Sequence, residues 1–119
     1  KAFKAFVEGD ILQPDKTTLK FTKKGEEDRV GLVNVLPAYV NFGETEIYSC
    51  KALGAMPSNV ELGIPRATGT ITLFDPQTKT PMCIMDAQVI SAMRTGAVSA
   101  LAAKKLFPSS LSDICLVGA

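Results

Sequence analysis

Hydrophobic and polar positions alternate through most of the chain, and the alternation predicts strands. Between Thr17 and Lys24, Leu19 and Phe21 fall on one side and Thr18, Lys20 and Thr22 on the other. A period of two marks a half-exposed strand. Gly25-Glu26-Glu27-Asp28 reads as a turn, and Arg29–Leu36 as the returning strand, ended by Pro37. Glu46–Leu53 reads as a third strand, closed by Gly54. Thr70–Phe74 and Met82–Met85 flank the seven-residue stretch Asp75-Pro76-Gln77-Thr78-Lys79-Thr80-Pro81, which is rich in strand breakers. Short strands joined by such turns pair mainly antiparallel.

The period changes at both ends. Phe3, Phe6 and Val7 recur at helical spacing, so Lys1–Glu8 reads as the end of an amphipathic helix stopped by Gly9. A helix that opens without a cap predicts an N-terminally incomplete domain. Ser91–Leu106 reads as the longest helix, with the small face Ala92, Gly96, Ala97, Ser99, Ala100, Ala102 and Ala103, and Phe107-Pro108 ends it. Ile114-Cys115-Leu116-Val117 is apolar throughout, which suits a buried parallel strand. With Gly118-Ala119 after it, the run is similar to the first strand of a dinucleotide-binding fold entering its glycine turn. The expected class is α+β, a mainly antiparallel sheet with a long packed helix.

Composition narrows the function. Thirteen Lys and Arg against twelve Asp and Glu leave a net charge of +1 across 119 residues. Such a balance makes no electrostatic case for nucleic acid or an anionic membrane. No apolar run approaches the ~20 residues of a membrane span. Cys50, Cys83 and Cys115 lie among apolar residues with no Cys-x-x-Cys pair, which argues for reduced core thiols in a cytoplasmic protein and against a zinc site. Histidine is absent. Chemistry must then rest on Lys, Arg, carboxylates or a cofactor, and no metal is expected.

Three cations stand in unusual places. Ser91 is a good N-cap, which would make Arg94 the third residue of its helix. A cation there opposes the helix dipole, so Arg94 is either a solvated first-turn side chain or part of an anion site. Lys51 shares a strand face with Ile47, Ser49 and Leu53. On an apolar face it either snorkels to water or meets an anion. Arg66 lies in Gly63-Ile64-Pro65-Arg66-Ala67-Thr68-Gly69, which reads as a connecting turn or a shaped loop and matches no phosphate-binding motif. Asp86, just before the long helix, either complements its dipole or belongs to a site.

Taken in order, Lys51-Ala52-Leu53-Gly54, Pro57-Ser58-Asn59, Gly63-Ile64-Pro65, Gly69, Leu73-Phe74-Asp75, Pro81, Met85-Asp86 and Arg94-Thr95-Gly96-Ala97 resemble the ornithine cyclodeaminase/μ-crystallin family over nearly the whole chain. The resemblance implies two domains. Residues 1–110 would form the substrate-binding domain, which pairs through its sheet in a homodimer. Residues 111–119 would be the first strand of a Rossmann domain holding NAD or NADP. Lys51 and Arg94 would grip the carboxylate of a small amino-acid substrate. Lys16 stands where the family has a third Arg, and a Lys there loses the bidentate fork. Gly118 and Thr95 would belong to the cofactor site, and the catalytic Asp would lie in the second domain.

By the same resemblance the chain is part of an NAD(P)-dependent amino-acid enzyme. The leading expectation is cyclodeamination: hydride abstraction from the substrate Cα, loss of ammonia and ring closure. Ornithine-converting members commonly carry Thr after the loop proline. Arg66 in that place is closer to members that make or reduce carbon–nitrogen bonds, and would suit a second carboxylate. An imine reductase, an opine-type dehydrogenase and a non-catalytic μ-crystallin-like binding protein are the alternatives.

Overall fold

The computed structural model describes residues 2–22, 24–25, 30–107, 113, 115 and 117. The chain forms two compact units, Lys1–Gln88 and Val89–Ala119. The first begins with helix α1 (Ala2–Glu8), whose Ala5 is buried. The helix stops at Gly9, which takes a left-handed φ of 87°, and the Asp10 N–H closes the turn on the Ala5 carbonyl at 2.9 Å.

Among the described residues, six strands make one antiparallel sheet. They are β1 (Ile11–Leu12), β2 (Thr17–Thr22), β3 (Val30–Asn41), β4 (Glu46–Ala55), β5 (Ala67–Phe74) and β6 (Pro81–Asp86). From β3 to β6 each strand pairs with the next. β1 and β2 lie end to end on the free side of β3. Ile11 and Leu12 face Val40 and Tyr39, while Thr17 to Thr22 face Val35 back to Val30. A 3-10 helix, Pro57–Leu62, joins β4 to β5. The α+β class read from the alternation is the one observed.

Pro37 does not end β3, which runs on to Asn41. Residues 36–38 of β3 pair with β4 but fall between the stretches taken by β1 and β2. No strand on that side needs the N–H that proline lacks, so the strand continues through it. Gly54 likewise lies within β4, opposite Val33 and Thr68. The two-residue β1 and the 3-10 helix carry too little periodicity to be read in advance.

The long helix, α2 (Gln88–Leu106), starts three residues before the expected Ser91. Asp86 explains the shift: its Oδ1 accepts the Gln88 N–H at 2.7 Å, as a capping carboxylate does. Ala87 beside it is 1% exposed, and its N–H donates to the Gly69 carbonyl at 2.9 Å. Ser91 is therefore inside the helix, and Arg94 is beyond its first turn. The expected strand over residues 114–117 involves Ile114 and Leu116, which lie outside the described residues, as do Gly118 and Ala119.

Pairing fixes which side chains share a face. Leu36, Lys51, Ile71 and Met85 stand in one row across β3, β4, β5 and β6. All four are half-buried, whereas alternate residues such as Val33, Val35, Thr70, Met82 and Ile84 are exposed. The Lys51 face is thus the better covered. On the opposite face, Phe21 lies across from Gly31. A Cβ at Gly31 would meet the Phe21 ring and the Met56 methyl at 2.8 Å, so the ring and the thioether fill the space the glycine leaves.

Gly69 is the tightest point of the sheet. A Cβ there would lie 2.3 Å from the Ala52 carbonyl oxygen and 2.9 Å from Leu53 Cα. Both obstacles are backbone and cannot rotate away. We expect Gly69→Ala to destabilise the chain by about 1–3 kcal/mol in urea unfolding. Gly54→Ala, where a Cβ meets nothing within 4 Å, should shift the midpoint much less.

Candidate functional site

The Lys51 face of the central strands is built mostly from Leu32, Leu36, Val40, Ile47, Leu53, Ile71 and Leu73, by the register that pairs β3, β4 and β5. Three polar side chains interrupt it, and they are neighbours. Lys51 and Ser49 are two apart on β4. Asn34, opposite Leu53, is diagonal to Lys51, about 7–8 Å away at the backbone for such a pair. The Ser49 hydroxyl donates to the Ala38 carbonyl at 3.4 Å. Asn34 Oδ1 accepts the Thr18 hydroxyl at 2.7 Å, which ties β2 to β3. Lys51 has interactions of its own and is half-buried.

Lys16 immediately precedes Thr17, which faces Val35. The next position of that ladder is level with Leu36, and Leu36 faces Lys51 on its other side. Lys16 itself lies one residue before the β2–β3 ladder, whose first pair is Thr17 with Val35. Lys16 is exposed. The sheet therefore draws Thr18, Asn34, Ser49 and Lys51 to one region of one face, with Lys16 just before β2. Sequence reading singled out the two lysines. It missed Asn34, whose signal was only a polar residue where the β3 alternation called for an apolar one.

Arg66 lies at the end of the loop between the 3-10 helix and β5, and is exposed. Its carbonyl accepts the Met56 N–H at 2.9 Å, which extends the β4–β5 ladder by one step. Gly63 closes the 3-10 helix with a φ of 68°, and Asn59 Nδ2 donates to the Pro65 carbonyl at 3.4 Å. The segment is a loop held by these bonds. Arg94 and Thr95 belong to the second unit. Arg94 is exposed, and the Thr95 hydroxyl donates to the Ser91 carbonyl at 2.8 Å. Gly118 lies outside the described residues. No group of His, Cys, Asp or Glu able to hold a metal occurs among the described residues.

The other face carries an aromatic hollow of about 510 Å³, lined by Leu12, Pro37, Tyr39, Tyr48, Phe74 and Lys79 among others. Leu12, Tyr39, Tyr48 and Phe74 form one cross-strand row. The two tyrosine rings are 4.7 Å apart, and Tyr48 Oη donates to Glu46 Oε1 at 3.1 Å. Burial, and then the Glu46 carboxylate beside it, push the Tyr39 phenol up. The Lys79 ammonium sits 3.6 Å above the Tyr48 ring, a cation–π contact, and donates to the Pro76 carbonyl.

The turn after β5 holds Lys79 there in a left-handed conformation, φ 59°. Asp75 Oδ1 accepts the Gln77 and Thr78 N–H groups at 3.0 and 2.7 Å and the Thr78 hydroxyl at 2.8 Å.

Every residue of the chain, 1–119, matches the ornithine cyclodeaminase/mu-crystallin family. The chain belongs to that family. It is 33% identical over 119 residues to N-((2S)-2-amino-2-carboxyethyl)-L-glutamate dehydrogenase of Staphylococcus aureus, which covers 99% of this chain and 35% of that protein. The Thermococcus litoralis Δ1-pyrroline-2-carboxylate reductase, solved in complex with NADH and L-proline, superposes with a TM-score of 0.78 at 31% identity, over 90% of this chain and 31% of that one. An archaeal alanine dehydrogenase dimer with bound NAD gives 0.76 at 29% identity, over 92% and 31%. The chain thus spans about a third of the length of these family members.

The Asp75 turn has a titration signature. Donation from the Thr78 N–H, and then from the Thr78 hydroxyl, favours the carboxylate, so Asp75 is held below its ordinary value. A folded-state value below the unfolded one gives a contribution present above the unfolded value and lost as pH falls through the folded one. In a carboxyl-detected NMR titration Asp75 should titrate below an ordinary Asp. Thr78→Val should move its midpoint upward.

Proposed function

We propose that this chain is the substrate-binding part of an NAD(P)-dependent oxidoreductase that makes or breaks a carbon–nitrogen bond at the Cα of a small amino acid. The observation that carries the reading is Lys51, a half-buried cation on an apolar sheet face, with Ser49 and Asn34 beside it on that face. The α-carboxylate of an amino acid is an anion that a cation so placed can bind. In this reading Arg94 completes the grip with its two-pronged guanidinium, and Arg66 takes a second carboxylate. When bound, the nicotinamide supplies the hydride acceptor or donor. This chain binds the substrate and orients its Cα. The cofactor contacts are assigned to Thr95 and Gly118, with residues 111–119 opening the nucleotide-binding domain.

Two of the similar proteins are named as dehydrogenases and one as a Δ1-pyrroline-2-carboxylate reductase, and two are solved with NADH or NAD. These names support redox chemistry at a C–N bond over deaminating ring closure, and Arg66 in place of the usual Thr points the same way. Cyclodeamination begins with the same hydride transfer and differs in releasing ammonia and returning the hydride, so product analysis separates the two. A μ-crystallin-like binder would bind NAD(P)H without turnover.

The face opposite Lys51 exposes Val33, Val35, Leu19, Met82 and Ile84, and we assign it to pairing with a second copy. The three cysteines, all free, suit a reducing compartment such as the cytoplasm. Among the described residues no helix is long and apolar enough to cross a membrane.

Two outcomes are expected. In the intact enzyme, Lys51→Met and Arg94→Lys should each lower kcat/KM for the amino acid by about 1.5–3 kcal/mol, the range for a lost hydrogen bond to a charged group. Steady-state assays of amino-acid-dependent NAD(P)H formation measure this, and an unchanged kcat/KM in both variants refutes the carboxylate grip. Light scattering of the intact protein should give a dimer mass, and a monomer overturns the assignment of the exposed face.

A further inference from the structure

We infer that Asn34 is a specificity-determining residue, and that it selects substrates whose second polar group is a hydrogen-bond acceptor, a carboxylate or carboxamide, over those ending in an ammonium. The inference rests on the amino-acid reading above and deepens it. Asn34 shares the face of Lys51 and stands diagonal to it, by the pairing of Leu53 with Asn34 and of Leu36 with Lys51. It is half-buried on the face that carries Leu32, Leu36 and Leu53, in a place where β3 otherwise turns apolar side chains to this face. A molecule held at its α-carboxylate by Lys51 therefore has Asn34 within reach of its other end.

The chemistry of the amide decides what that end is. An asparagine side chain has one acceptor oxygen and one NH2 donor group. The Thr18 hydroxyl donates to Oδ1 at 2.7 Å, which takes one of the oxygen's two lone pairs and turns the NH2 group away from Thr18. The end left to meet a ligand is the donor. A carboxylate or carbonyl oxygen satisfies it. A terminal ammonium, itself only a donor, would face another donor with Lys51 on the same face. The polar cluster thus reads a dicarboxylic or opine-type amino acid and rejects a diamino acid. Discrimination of this kind is large because a mismatched partner leaves a half-buried polar group unsatisfied.

The test uses the intact enzyme with L-alanine, L-glutamate and L-ornithine as probes. Affinities come from titration calorimetry with NAD(P)H present, and kcat and KM come from each substrate that turns over. Wild type should favour L-glutamate over L-ornithine. Asn34→Leu should weaken L-glutamate by about ten-fold or more, mostly in KM or Kd, and leave L-alanine within about two-fold, since only the charged hydrogen bond is lost. Asn34→Asp, which replaces the donor by a carboxylate of the same size, should invert the order and favour L-ornithine.

Equal losses for all three probes would mean that Asn34 only supports the strand, and would overturn the inference. So would an unchanged glutamate-to-ornithine ratio in Asn34→Asp. Should Asn34→Leu not fold, the Asp variant and Thr18→Val, which frees Oδ1 and should narrow the wild-type preference, carry the same test. Wild type that binds none of the probes overturns the amino-acid reading itself, and this inference with it. Binding with no Asn34 dependence overturns the inference alone.

Discussion

The candidate site depends on the register of β3 against β4 and of β4 against β5. Side chains alternate along a strand, so a slip of one residue would carry Lys51 to the far face and leave Asn34 behind. Several contacts oppose such a slip. Gly69 lies so close to the backbone of Ala52 and Leu53 that no other residue fits that place. Phe21 and Met56 occupy the space above Gly31. Thr18 and Asn34 bond across β2 and β3, and the Asp75 turn sets where β6 begins its return. Together they act on three strand pairs, β2–β3, β4–β5 and β5–β6, so register is set locally and repeatedly across the sheet.

Strand alternation was legible because the two faces differ in how they are covered. β3 shows this best: from Val30 to Ala38 its exposed and covered positions alternate almost without a break. What was illegible has physical reasons. Pro37 looked like a strand end because a proline inside a sheet is normally excluded, and only the gap between β1 and β2 makes it harmless. The start of α2 was placed at Ser91 because Ser is a strong cap, but Asp86 sits earlier and takes that role. The lysines of the site showed as charges against an apolar pattern. Asn34 showed as much, yet a single neutral amide does not stand out until the register places it beside Lys51.

The two faces of the sheet are built from different chemistry. One carries polar side chains gathered on an aliphatic floor. The other carries exposed valine, methionine and isoleucine, with an aromatic row at one end. Among the described residues the only buried hydrophobic side chains are Ala5 and Ala87, so a single layer of sheet encloses little by itself. Layers of this kind are stabilised by covering a face, and both faces here have a chemistry that specifies what should cover them.

The break at Pro37 has a further consequence for the sheet margin. A long, flat outer strand offers a row of free backbone groups to any other extended chain, a route to aggregation. Here one margin is divided into β1 and β2, of two and six residues, on either side of the proline. The other margin, β6, opens with Pro81 and has six residues beside a register shift at Leu73 and Phe74. Neither border gives an incoming strand more than a short ladder. The residue that looked like an error in the strand pattern helps keep this sheet from growing sideways.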